Sequence, residues 1–176
     1  VTAEPPKAGA PTAARWAARA HVCELALRER PDDLSAWMDL TILYWLATDY
    51  GICVGAGISG DFFRRAGDRL AALLEVGRMR FAGCPQAQFW TRHIDWIEHG
   101  GPLAVADCRA RLAREPQFKD PALFVFMTML DAPFDDDDVA QLLAECRSRD
   151  TERAGYIVSV IESTMQRNGK RGVHPT

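Results

Sequence analysis

The stretch Pro31-Asp32-Asp33-Leu34-Ser35-Ala36-Trp37-Met38-Asp39-Leu40-Thr41-Ile42-Leu43-Tyr44 decides how the rest of the chain is read. Its proline closes one helix, because a pyrrolidine ring has no N–H to continue the ladder. Asp33 opens the next one: a short acceptor side chain satisfies the free amides of a first turn. Beyond that cap, Trp37, Leu40 and Tyr44 recur at i, i+3 and i+7, which is one face of an α-helix. The pattern predicts a helix over residues 34–50 that lays its aromatic edge against a neighbour.

Working outward, the same punctuation repeats. Trp16, Ala20, Cys23 and Leu27 stand at helical spacing and predict a helix over 13–30. Further helices are expected over 61–82, 86–99, 103–114 and 122–131, then from the aspartate run to about Ser148, and over 151–166. Pro31, Gly83-Cys84-Pro85, Gly100-Gly101-Pro102, Pro116, Pro121 and Pro133 fall between them. Residues 51–60 read as a glycine-rich loop. The sequence has no alternating β-branched run and no Asn-Gly or Asp-Gly hairpin turn. The expected fold is all-α, with about eight helices joined by short connections into antiparallel hairpins. Residues 1–12, rich in Pro and Ala, read as a flexible leader, 13–167 as one helical domain, and 168–176 as a flexible tail.

Two segments echo one another: Cys23-x3-Leu27-x3-Pro31 and Cys108-x3-Leu112-x3-Pro116. Together with Trp37, Leu40 and Tyr44 after a proline-ended helix, this resembles the tetratricopeptide repeat, whose pattern runs Trp-x2-Leu-Gly-x2-Tyr. Thr41 stands where that family prefers glycine. The motif is matched over residues 20–44 and the architecture over 13–150; Trp90 takes the Trp place of a second repeat, with His93 and Ile94 replacing its Leu and small residue. The resemblance implies a helical solenoid, with an irregular helical bundle as the alternative. It also implies a groove lined by the first helix of each hairpin. Carried over by position, that groove takes Met38, Ile42 and Trp45, then Gln88, Thr91, Asp95, Glu98 and His99, then Leu123 and Met127. A segment or helix of another protein is the implied occupant, in an adaptor, chaperone or assembly factor, as part of a hetero-complex.

Composition narrows the function classes. The chain has 176 residues, a net charge of −3 and 48% hydrophobic residues, which fits a folded domain with a sizeable core. That charge argues against nucleic acid as a partner, since duplex binding needs a concentrated basic face. Arg64, Arg65, Arg69, Arg78 and Arg80 share one helix with Asp61, Asp68 and Glu75, which reads as a solvated, partly paired face. No apolar run is long enough to span a membrane. Five cysteines without a CxxC pair fit a reducing, cytoplasmic setting; export is the alternative if residues 1–12 follow a removed signal peptide.

Candidate chemistry is sparse, and no catalytic residue, metal or cofactor is expected. Gly55-Ala56-Gly57-Ile58-Ser59-Gly60 fits G-x-G-x-x-G, so Gly55, Gly57, Ser59 and Gly60 make a possible phosphate loop. A dinucleotide site needs a strand before that loop, and the flanks read as helices. Asp95 and His99 share a helix face without a second ligand pair. Asp135, Asp136, Asp137 and Asp138 lack the order of a calcium loop and suit the positive end of a helix. Cys84, at a helix entrance, has no histidine close in sequence. A protein-binding role therefore leads. A nucleotide- or phosphate-binding enzyme or sensor, and a structural helical subunit of a larger complex, stand as alternatives.

Overall fold

Asp33 does cap the decisive helix: its Oδ1 accepts from the Ala36 amide at 3.0 Å. The computed structural model describes residues 13–129 and 137–171. Among them are nine helices and no strand: α1 (Ala13–Glu29), α2 (Leu34–Ala47), α3 (Tyr50–Gly55), α4 (Gly60–Arg80), α5 (Pro85–His99), α6 (Val105–Arg114), α7 (Pro121–Thr128), α8 (Asp137–Arg147) and α9 (Glu152–Arg171). The fold is all-α. The expected leader at 1–12 lies outside the described residues, as do Asp135 and Asp136.

Two expectations are corrected. Residues 51–60 contain a helical turn and a half, α3, where a loop was expected. Glycine at positions 51 and 55 disfavours helix by about 1 kcal/mol each, but Asp49 caps α3 through the Ile52 amide at 2.9 Å. Cys53 and Ile58 are buried, and the Ile58 amide bonds back to the Cys53 carbonyl at 2.9 Å. Burial and capping outweigh the glycine penalty. At the other end, α9 runs to Arg171, so residues 168–171 continue a helix rather than a tail.

The chain divides into two compact units, one ending at Phe81 and the other beginning at Ala82. In the first, α2 packs against α1 and α4. Eight of its residues are buried, from Trp37 to Ala47, as befits a helix apolar on nearly every side. The face read from the sequence makes the packing. The Trp37 indole donates from Nε1 to the Leu73 carbonyl of α4 at 2.9 Å, and its ring meets Phe81 at 5.3 Å. Tyr44 packs on Phe62 at 6.0 Å. Trp16 and Ala20 of α1 and Ala66 of α4 complete the cluster around Leu40 and Leu43.

In the second unit, α6 packs on α7, and α7 on α8 and α9. Pro85 starts α5, where its missing N–H is not needed, and Gly100 ends it at φ 69°. Helix α7 is apolar throughout and is buried from Pro121 to Phe126. Around it, Phe89 meets Phe118 edge-on at 6.0 Å, and Trp96 meets Phe124 at 4.9 Å.

Candidate functional site

In the first unit, α2 forms the floor of a groove whose walls are α1 and α4. A cavity of about 310 Å³ lies there, with Trp37, Leu40 and Tyr44 beneath it. Leu27 on one wall and Leu73 and Val76 on the other continue the apolar surface. The rim is cationic: Arg28 from α1, Arg69 and Arg80 from α4. A second cavity of about 290 Å³ adjoins it, reaching His21, Phe62 and Arg65. Glu24, Tyr44 and Arg69 line both cavities and mark their boundary. The Tyr44 hydroxyl donates to Glu24 Oε1 at 2.7 Å, and Arg69 Nε stands 3.6 Å from the same oxygen. Burial, then that hydrogen bond to a carboxylate, holds the Tyr44 phenol far above its ordinary pKa. It is a fixed donor, not a proton shuttle.

The charge pattern on α4 follows from its spacing. Arg64 pairs with Asp61 and Arg78 with Glu75, each at i−3 on the exposed side. Arg65, Arg69 and Arg80 belong to the groove instead, with Arg65 over the Phe62 ring at 5.8 Å. Part of the solvated face expected from the sequence therefore lines these two cavities. Arg65, Arg69, Val76 and Arg80 recur at i, i+4, i+11 and i+15, a helical stripe present in the sequence; what the sequence hides is the opposing wall. No family model, curated protein or solved structure matches the chain.

The residues placed in a groove by the tetratricopeptide resemblance fall differently. Ile42, Trp45 and Leu123 are buried at 0, 5 and 0% exposure, so they serve the interior and offer no open lining. Met38, Thr91 and Met127 are half-buried, while Gln88, Asp95, Glu98 and His99 are exposed. Gln88 Nε2 donates to the Ala82 carbonyl at 2.5 Å and its Oε1 accepts from Arg111 at 3.0 Å. His99 Nδ1 lies 3.3 Å from Asp95 Oδ1. Among the described residues, no group of three or more His, Cys, Asp or Glu side chains is placed to hold a metal ion, and no helix is long and apolar enough to cross a membrane.

The glycine loop is organised by its own contacts. Gly57 takes φ 65°, the left-handed conformation that glycine adopts freely. Ser59 caps α4, its Oγ accepting from the Phe62 amide at 3.2 Å. Ile52, Cys53 and Val54 lie in α3, so the strand on which a dinucleotide loop depends is replaced by helix. Cys84, at the entrance of α5, donates from Sγ to Gln86 Oε1 at 3.0 Å. Burial pushes the Cys108 and Cys146 thiols up to about 11, which leaves them protonated and unreactive at neutral pH.

A buried polar cluster in the second unit was invisible from sequence. Trp90 Nε1 donates to Asp120 Oδ2 at 2.7 Å, and Arg153 donates to Asp120 Oδ1 at 2.5 Å. Nearby, His93 Nε2 and the Tyr156 hydroxyl are 3.2 Å apart. The His93 ring is fully buried among Phe89, Trp90 and Trp96. Burial drives its pKa down to about 4 and that of Tyr156 well up. His93 is thus neutral at pH 7, whereas in the unfolded chain it titrates near the ordinary value of about 6.5. Between those values the unfolded chain binds the extra proton. This histidine's contribution to stability is therefore complete above pH 6.5 and is lost as pH falls toward 4, by about 3 kcal/mol in all. Urea unfolding at pH 7 and pH 4.5 checks this: His93→Phe should lose distinctly less stability on acidification than the native chain.

Proposed function

We propose that this protein is a non-enzymatic binding module that holds a segment of another protein in the groove between α1 and α4. One observation carries the reading: Leu27, Leu73 and Val76, all half-buried, and the exposed Ala72 line a concavity between two helix walls, above the buried Trp37 and Leu40. Apolar concavities of this size with a few convergent polar groups are where ligands bind, and an amphipathic helix laid into a groove is a common form of peptide recognition. The tetratricopeptide-like motif at residues 20–44 supports the same class of function. It assigns the groove to the faces of Ile42 and Trp45, however, and the proposal moves it to the other side of α2.

Ala72 provides the test. It is exposed and lies in the groove lining. A photo-crosslinking amino acid at position 72 should give a discrete protein adduct in cells of the source organism. The same group at Arg78, which pairs with Glu75 outside the lining, should not. Ala72→Glu should abolish capture of that partner while the thermal unfolding midpoint stays unchanged. A crosslinked partner that the Ala72→Glu chain still captures at full strength would refute the groove assignment.

A further inference from the structure

We infer that the groove selects an acidic segment, one that sets carboxylates against Arg28, Arg69 and Arg80 and lays a large apolar side chain over Leu27, Leu73 and Val76. This deepens the proposed function and rests on it. Four guanidiniums line the two adjoining cavities, those of Arg28, Arg65, Arg69 and Arg80. Among the described residues the only carboxylate lining either is Glu24, and Tyr44 and Arg69 already engage it. Arg80 bonds the Pro31 carbonyl at 2.9 Å and meets Asp32, itself 86% exposed, at 3.6 Å. Arg28 has no carboxylate partner among the described residues. The α4 arginines outside the lining, Arg64 and Arg78, are each neutralised one turn away. The positive charge left over on this helix is therefore gathered on the groove side of a chain whose net charge is −3.

Shape decides the occupant. A duplex or a bilayer meets an extended cationic face, whereas here the guanidiniums rim a concavity with an apolar floor. A peptide fits between such walls, and guanidiniums pair well with carboxylates at a partly desolvated rim.

Display of a random peptide library on the native chain, counter-selected against Ala72→Glu, tests both levels. Groove-dependent peptides should be enriched in Asp and Glu beside Leu, Phe or Trp. By fluorescence anisotropy, a selected peptide should lose roughly tenfold or more in affinity when its acids become Gln or Asn, about 1.4 kcal/mol. That advantage should shrink in high salt. Arg69→Gln and Arg28→Gln should each reduce the affinity ratio between the acidic peptide and its neutral counterpart. Groove-dependent peptides that are neutral or basic would overturn the acidic preference and leave the groove reading standing. A library that yields no groove-dependent peptide, or a chain that binds phosphatidylserine vesicles and no peptide, would overturn both.

Discussion

Asp120→Ala is expected to destabilise the second unit by about 3–5 kcal/mol, the range for removing one member of a buried ion pair. The Asp120 side chain is 3% exposed and that of Arg153 13%. One carboxylate oxygen holds the guanidinium of α9, and the other holds the Trp90 indole of α5. Removing the carboxylate takes an acceptor from both donors: the indole N–H loses its bond to Asp120, and the guanidinium loses its ion pair at a site where little water reaches it. The size of the effect comes from that desolvation more than from the attraction itself, since buried ion pairs give back little over a well-packed apolar replacement. A second variant separates the two. Asp120→Ala combined with Arg153→Met should recover a large part of the loss, because neither charge of the pair remains to be desolvated. Urea unfolding followed by circular dichroism measures each difference. If Asp120→Ala costs less than about 1 kcal/mol, the pair is solvated and the account of this cluster fails.

Trp37→Ala is expected to cost a similar amount in the first unit, about 3–5 kcal/mol, the usual range for deleting a fully buried large aromatic side chain. Trp37 is 0% exposed. Its ring fills the space between α2 and α4 against Phe81, and its N–H satisfies the Leu73 carbonyl. Trp37→Phe keeps most of the volume and removes the hydrogen bond, so it should lose less, about 1–2 kcal/mol. The order native, Phe, Ala in unfolding midpoint is the expected result. An alanine variant as stable as the phenylalanine variant would mean that the ring is not packed as described.

The two expectations also mark what was legible in the sequence. Trp37, Leu40 and Tyr44 repeat at the helical period, so their shared face and its burial follow from the spacing alone. So do the helix boundaries at Asp33, Pro85 and Gly100, where cap chemistry is local. The Asp120 cluster joins residues 30 and 33 positions apart, and no local pattern announces such a meeting. Helix α3 was hidden because glycine propensity argues against it, while the burial of Cys53 that favours it is tertiary. The proposed groove differs from the one the tetratricopeptide resemblance implies for a related reason. A helix as apolar as α2 buries Ile42 and Trp45 as well as Trp37, Leu40 and Tyr44, so its sequence does not say which of these two sides adjoins a groove. Only the position of α1 and α4 decides between them.

Ligand is expected to bind between α1 and α4, over the α2 floor. The chain has five tryptophans, each with one indole N–H, so a nitrogen–proton correlation spectrum carries five resolvable side-chain reporters. Titrated with a groove-selected peptide, the Trp37 signal should shift to saturation along with backbone signals of Leu27, Ala72 and Val76, while the Trp90 signal, tied to Asp120, stays in place. Saturable binding that moves Trp90 and Trp96 and leaves Trp37 and its neighbours untouched would contradict the account.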